Sequence, residues 1–278
     1  MFNIEFKNNN TYIFGIKTFD LPQTLDCGQA FRWQEKENGI WHGVAFNKYL
    51  ELEKLGDGTV VLYNTSEQEF NDIWCKYFDF ERDYEKIINT ISSNDTLKKA
   101  ASYGEGIRIL NQEPFETLCS FIISQNNNIK RIKGIISRLC ENFGEDMGGY
   151  FTFPTAEKIA TLTLDDLSVL RSGFRAKYIL DAAVKVATGE INLNRLKSIS
   201  IDDARNELMK IKGVGPKVAD CVLLFSLEHI TAFPKDVWIK RALEVLFDGE
   251  LPEEAKAYAG IVQQYIFFYA RETKLKIE

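Results

Sequence analysis

The period of the hydrophobic pattern changes at Ser66, and that change splits the chain into two kinds of structure. Up to about residue 65, short alternating or aromatic runs are separated by turn clusters, at 11–19, 28–34, 41–46, 49–53 and 59–63. Alternation marks strands that bury one face. Glu37-Asn38-Gly39 and Gly56-Asp57-Gly58 suit hairpin turns, so an antiparallel sheet is expected. From Glu67 the spacing becomes helical: Phe70, Ile73, Trp74, Tyr77 and Phe78 fall at i, i+3, i+4 positions. The same spacing predicts helices over 67–78, 83–92, 95–103, 114–124, 129–143, 155–160, 163–170, 176–188, 200–211, 217–225, 237–246 and 252–271. Ser200-Ile201-Asp202-Asp203 and Thr163-Leu164-Asp165-Asp166 read as helix starts, a capping hydroxyl followed by first-turn acids. The expected fold class is α+β, with an antiparallel β/α unit over 1–105 and a mainly helical unit over 106–278.

Composition narrows the function. The 278 residues are 45% hydrophobic and 13% aromatic, which supplies a core and excludes disorder. A net charge of −6 argues against uniform coating of nucleic acid and leaves room for a local basic face. Cys27, Cys75, Cys119, Cys140 and Cys221 form no C-x-x-C and no cluster with His42 or His229, so neither zinc nor an iron–sulfur cluster is expected. Scattered cysteines, an N-terminus unlike a signal peptide and no long apolar run together predict a cytoplasmic protein off the membrane.

The chemistry concentrates in Lys212-Gly213-Val214-Gly215-Pro216-Lys217, between two expected helices. Gly213 and Gly215 can take positive φ, and Pro216 suits a first helical position. Amides at the positive end of the next helix form a phosphate site, or the glycines serve turn geometry alone. Lys217 is a surface lysine or an amine nucleophile; a cation at that helix end is disfavoured, which favours the free amine. Cys221, at i+4, should face the same side, while Asp220 reads as a first-turn acid offsetting the helix dipole. Asp236, after Pro234, suits a helix N-cap, and a carboxylate fixed that way can also stabilise a developing cation.

These residues resemble the helix-hairpin-helix (HhH-GPD) DNA glycosylase superfamily, and Lys217 with Asp236 resembles its bifunctional 8-oxoguanine DNA glycosylases. Four further segments carry the resemblance: Cys27-Gly28-Gln29-Ala30-Phe31-Arg32-Trp33, Ser124-Gln125-Asn126-Asn127-Asn128-Ile129-Lys130-Arg131, Ser172-Gly173-Phe174-Arg175-Ala176-Lys177-Tyr178, and Gln263-Gln264-Tyr265-Ile266-Phe267-Phe268-Tyr269-Ala270-Arg271. It implies a TATA-binding-protein-like N-terminal domain and a helical body of two subdomains with the site between them. It implies Lys217 as nucleophile and Asp236 as electrostatic partner. The Gly28 carbonyl would accept the N7–H that 8-oxoguanine has and guanine lacks. Gln263 would read the Watson–Crick edge, with Phe267 and Cys221 on the two base faces. Asn126 would fill the vacated space, Arg131 and Arg175 would read the orphaned cytosine, and Phe174 would wedge the stack. Gly213, Gly215 and Lys217 would hold phosphate, and the carbonyls of Met209, Ile211 and Val214 would hold a structural K+ or Na+.

The implied partner is double-stranded DNA containing 8-oxoguanine, bound by a monomer that requires no cofactor. By their residues alone, Gly28 reads as a turn glycine, Asn126 as a cap and Phe267 as core, while Phe174 is either an exposed wedge or a loop residue packed inward. Phe174 stands where animal and fungal members carry Tyr, Trp238 where they carry a phosphate-contacting His, Phe225 in place of a Met, and Lys235 in place of an apolar residue. These departures place the chain in a bacterial branch of the eukaryote-like enzymes. The other readings are an alkylbase glycosylase in which Lys217 takes no part, and a non-catalytic hairpin module that binds DNA backbone.

Overall fold

The computed structural model describes residues 2–273. Six strands, β1 (Asn3–Lys7), β2 (Asn10–Phe14), β3 (Trp33–Glu35), β4 (Trp41–Ala45), β5 (Lys48–Lys54) and β6 (Val60–Tyr63), form one antiparallel sheet in the order β1-β2-β6-β5-β4-β3. Strands β3 to β6 are a meander, and β6 returns to pair with β2 through Tyr12↔Val61. Both expected glycine turns connect neighbours, β3 to β4 and β5 to β6. Alternation sends Ile13, Trp33, Trp41, Leu50, Leu52, Val60 and Leu62 into one core. β1 was not expected: its residues are mostly exposed and carry little apolar alternation. Most of 28–34 is not strand either, because only Trp33–Glu35 pairs with β4. The stretch between β2 and β3 holds a short helix, α1 (Leu21–Leu25), capped by Asp20 and opened by Pro22.

The sheet is covered by α2 (Glu67–Glu69), a π-turn over Phe70–Trp74 and α3 (Cys75–Tyr77), where sequence spacing predicts one regular helix. The wider turn lets Phe70, Trp74, Tyr77 and Phe78 all bury against the sheet. Trp33 Nε1 donates to the Tyr77 hydroxyl at 2.7 Å beneath them.

The helical body comprises α4 (Tyr84–Ile91), α5 (Asp95–Gly104), α6 (Pro114–Ser124), α7 (Ile129–Phe143), α8 (Ala156–Ala160), α9 (Ala176–Ala187), α10 (Leu193–Leu196), α11 (Ile201–Leu208), α12 (Pro216–Ser226), α13 (Val237–Phe247) and α14 (Ala259–Glu272). Its core runs from Tyr84 to Tyr269 and takes in Phe31 from the sheet-side segment, and α5 packs along α14. The segment 163–170 is a 3-10 turn over Asp166–Leu170, ended by Arg171 at φ +53°. The expected helix over 252–271 breaks at Tyr258, whose φ of −126° and ψ of 28° leave the helical region. There Gly260 donates to the Ile230 carbonyl at 2.8 Å, and a Cβ on it would meet the Ala232 carbonyl at 2.7 Å. Residues 107–112 lace the two cores together: Leu110 belongs to the first, Ile109 to the second, and buried Arg108 donates to the carbonyls of Thr18, Phe78, Asp79 and Arg82. Among the described residues no helix is long and apolar enough to cross a membrane.

Candidate active site

The turn between α11 and α12 is held from below by α9. Gly213 sits at φ +80°, and a Cβ there would lie 2.4 Å from the Tyr178 ring. Asp181, one turn on, accepts the Lys212 N–H at 2.8 Å. Gly215 does not take positive φ; it is an extended N-cap at φ −102°, with open space where its Cβ would be. The N–H groups of Gly213, Gly215 and Lys217 meet no acceptor among the described residues, which leaves a cluster of donors at a helix N-terminus for an anion. Asp220 pairs with Arg205 Nε at 2.7 Å, so it ties α11 to α12 instead of serving the helix dipole. No backbone N–H among the described residues donates to the carbonyls of Met209 or Val214, while that of Ile211 accepts the Val214 N–H at 3.0 Å. Two unclaimed carbonyls beside a third fit a monovalent cation of oxygen-only ligation.

Lys217 and Cys221, one turn apart on α12, open onto a cleft of about 240 Å³. Asp236 enters it from the start of α13, where its Oδ1 accepts the Ile239 N–H at 2.8 Å. Gln263 and Phe267 enter from α14, and Gly28 closes the side nearest the sheet. Six residues drawn from four stretches of sequence thus share one hollow. Larger hollows of about 450 and 800 Å³ lie elsewhere and contain none of the candidates. Lys217 Nζ lies 5.3 Å from the Phe121 ring centre, and Phe121 stacks on Phe225 at 5.4 Å, so the amine borders an aromatic wall. Burial pushes the Cys221 thiol up to about 11, opposed by Lys217 and reinforced by Asp220 and Asp236. Burial likewise raises Cys27, also to about 11. Both cysteines at the cleft therefore stay as neutral thiols near pH 7.

Gly28 adopts φ +92° and is followed by the buried Gln29. Gln29 Nε2 donates to the carbonyls of Thr24 and Arg108, both at 2.8 Å, and its Oε1 accepts the Leu110 N–H at 3.0 Å. Its own carbonyl accepts from Gln112 Nε2 at 2.7 Å, and the Gln112 N–H donates to Phe225 on α12 at 2.8 Å. The peptide that carries the Gly28 carbonyl is thereby braced against the helix that carries Lys217. Gln29, Gln112, Phe121 and Arg271 were not singled out in sequence; a lone glutamine among apolar residues was the available signal for Gln29, and Gln112, between Asn111 and Glu113, carried none.

The remaining candidates stand outside the cleft. Phe174 is 48% exposed, with Tyr178 edge-on at 5.8 Å and the Arg175 guanidinium at 4.5 Å from its ring, and that exposure rules out the inward-packed reading. It stands between two left-handed residues, Arg171 and Gly173 at φ +61°, and Arg175. Arg175 is only 3% exposed, and its fork grips the carbonyls of Gln125, Asn126 (2.9 Å) and Ser172 (3.1 Å). That leaves one Nη1–H for any other partner. Asn126 is exposed at φ +46°, and Arg131 is exposed, reaching the Arg171 carbonyl at 3.4 Å.

These contacts join the loops around 126 and 174, while Lys217 and Asp236 meet at the cleft. The segments 125–134, 171–178, 209–217 and 235–241 hold twelve of the 34 Lys and Arg and one of the 40 acids, Asp236. A chain of net charge −6 thus concentrates positive charge on these four segments.

Residues 11–118 match the family model of the 8-oxoguanine DNA glycosylase N-terminal domain, and residues 119–259 match that of HhH-GPD superfamily base excision DNA repair proteins. The N-glycosylase/DNA lyase of Saccharomyces cerevisiae is 34% identical over 80% of the chain, which spans 66% of that relative's length. A probable N-glycosylase/DNA lyase of Methanothermobacter thermautotrophicus is 31% identical over 92% of this chain and 95% of its own. The Clostridium acetobutylicum 8-oxoguanine glycosylase/lyase, solved with double-stranded DNA containing cytosine opposite 8-oxoG, matches with a TM-score of 0.91 at 41% identity, over 98% of this chain and 99% of that one.

Proposed function

The chain belongs to the 8-oxoguanine DNA glycosylase family of the HhH-GPD superfamily, and from that membership we propose that it is a base-excision repair enzyme that removes 8-oxoguanine from duplex DNA and then nicks the abasic strand. The observation that carries this reading is the convergence of Lys217 and Asp236 with Gly28, Cys221, Gln263 and Phe267 on one cleft.

The flipped base enters between Phe267 and Cys221. The Gly28 carbonyl, braced through Gln29, accepts N7–H of 8-oxoguanine, and guanine lacks that donor. The lone pair of Lys217 Nζ forms a bond to C1′ while the electron pair of the C1′–N9 bond leaves with the base, which takes up a proton. Asp236, pinned by the Ile239 N–H, stabilises positive charge at the sugar. Opening of the C1′–O4′ bond yields a Schiff base, and loss of a C2′ proton expels the 3′ phosphate by β-elimination. Phe174 fills the stack, Asn126 the vacated space, and Arg131 and the free Nη1–H of Arg175 face the orphaned cytosine. The unpaired N–H groups of the hairpin take a phosphate. Met209, Ile211 and Val214 would hold K+ or Na+, which would offset phosphate charge beside them. The protein acts as a monomer on DNA in the cytoplasm.

Borohydride trapping on an 8-oxoguanine·cytosine duplex is the test. A covalent adduct is expected with the wild type and none with Lys217→Gln, which should still bind the lesion duplex. Folded wild-type protein that forms no adduct overturns the lyase step. Release of 3-methyladenine in preference to 8-oxoguanine would replace the substrate with alkylated bases.

A further inference from the structure

Gln263 and Gln264 are consecutive on α14, and both line the cleft at 5% and 6% exposure. Successive residues of a helix point about 100° apart, so two neighbouring amides meet only when both side chains bend toward one place. Val262, Tyr265 and Ile266 around them already fill the core, so packing does not call for a second amide. Gln264 Nε2 donates to Gln263 Oε1 at 2.6 Å, while the Gln264 carbonyl oxygen, though buried, finds no donor among the described residues. The Nε2 of Gln263 turns toward the Pro234 carbonyl, 3.4 Å away. Reversing the Gln264 amide would set two carbonyl oxygens face to face, and reversing Gln263 would aim its oxygen at Pro234. The network therefore admits one polarity for Gln263, and Gln264 maintains it by leaving its own acceptor unpaired, a disfavoured state for a buried group.

That polarity decides what Gln263 can read. A 2-amino-6-oxopurine presents N–H donors at N1 and at the 2-amino group, whereas an adenine-type edge presents a bare acceptor at N1 and carries its donor at the 6-amino group. Gln263 Oε1 accepts from Gln264 with one lone pair and keeps the other for a donor on the base. We propose that Gln264 is a positioning residue that holds the Gln263 carbonyl toward the bound base, and so sets the preference for a purine that carries an N–H donor at N1. The proposal rests on the 8-oxoguanine reading above and extends it to a residue beyond the Gln263 position.

Single-turnover excision from duplexes carrying 8-oxoguanine, 8-oxohypoxanthine or 8-oxoadenine opposite cytosine tests it, since all three keep N7–H for Gly28. Gln264→Met keeps the side-chain volume and removes the donor. It should slow 8-oxoguanine excision by about tenfold to a hundredfold and leave 8-oxoadenine within roughly threefold, so the ratio collapses, with 8-oxohypoxanthine, which keeps N1–H, slowing as 8-oxoguanine does. Gln264→Glu can only accept, turns the Gln263 amide round, and should collapse the ratio in the same way. Trapping on a preformed abasic site needs Lys217 and no base, and should be unchanged in both variants. Wild-type ratios in both variants, whatever their absolute rates, overturn the proposal. A wild-type enzyme that excises no 8-oxoguanine overturns the underlying reading as well.

Discussion

The two hairpin glycines separate structure from function at the level of single residues. Gly213 has positive φ and no room for a Cβ against Tyr178, whereas Gly215 is extended with open space before it. Gly213→Ala should therefore destabilise the fold, by roughly 1–3 kcal/mol, read as a lower urea midpoint. Gly215→Ala should leave that midpoint in place and weaken duplex binding, because its methyl occupies the approach to the free N–H groups. Equal urea midpoints for the two variants would contradict this assignment. Lys217 and Cys221 were legible from sequence because i, i+4 spacing on one helix fixes a shared face. Gln29 and Gln112 were not, because their hydrogen bonds join residues some eighty positions apart. Asp220 was misassigned for a related reason: its partner Arg205 lies across the hairpin, on α11.

Among elements, the clamp by Arg175 links two loops that have no sequence connection. Its fork holds the turn that presents Asn126, and its guanidinium faces the Phe174 ring. Arg175→Ala strands three carbonyls and should cost roughly 3 kcal/mol, measurable by urea unfolding. The exposed Arg131→Ala should leave stability within about 0.5 kcal/mol and instead narrow the difference in excision rate between cytosine and the other opposite bases. If Arg175→Ala unfolds at the wild-type urea midpoint, the clamp does not hold the loops. The amphipathic α7 and the almost wholly buried α6 were both read to the residue; their caps are Asn128 before Ile129 and Glu113 before Pro114. The π-turn at Phe70 and the break at Tyr258 escaped the periodic reading because each answers to packing on another element.

Over the whole molecule, charge placement and one buried ion pair govern behaviour in solution. The basic segments should make duplex binding fall steeply with salt despite the net charge of −6, with Lys130→Ala reducing the log–log slope by about one. Salt-independent binding would rule that role out. Between the sheet-side segment and α6, Arg32 Nη1 meets Glu116 at 3.3 Å. Burial, with Glu113 adding to it, lifts the Glu116 carboxyl to about 7 against the pull of Arg32. Its folded value exceeds its unfolded one, so the stability it contributes is complete below pH 4.5 and is lost as pH rises through 7. The full span is on the order of 3 kcal/mol; Glu116→Gln should flatten the urea midpoint between pH 5 and pH 8, and an unchanged slope would contradict the assignment. The sequence by itself determined the change from sheet to helices, most of the helices and the family, because periodicity, caps and short motifs are local properties of the chain. Only the tertiary structure decided that Gly28, Lys217, Asp236 and Gln263 share one cleft, which carbonyls Arg175 consumes, and which way the Gln263 amide faces. Those outcomes depend on hydrogen bonds and packing between segments far apart in sequence, and folding alone brings them together.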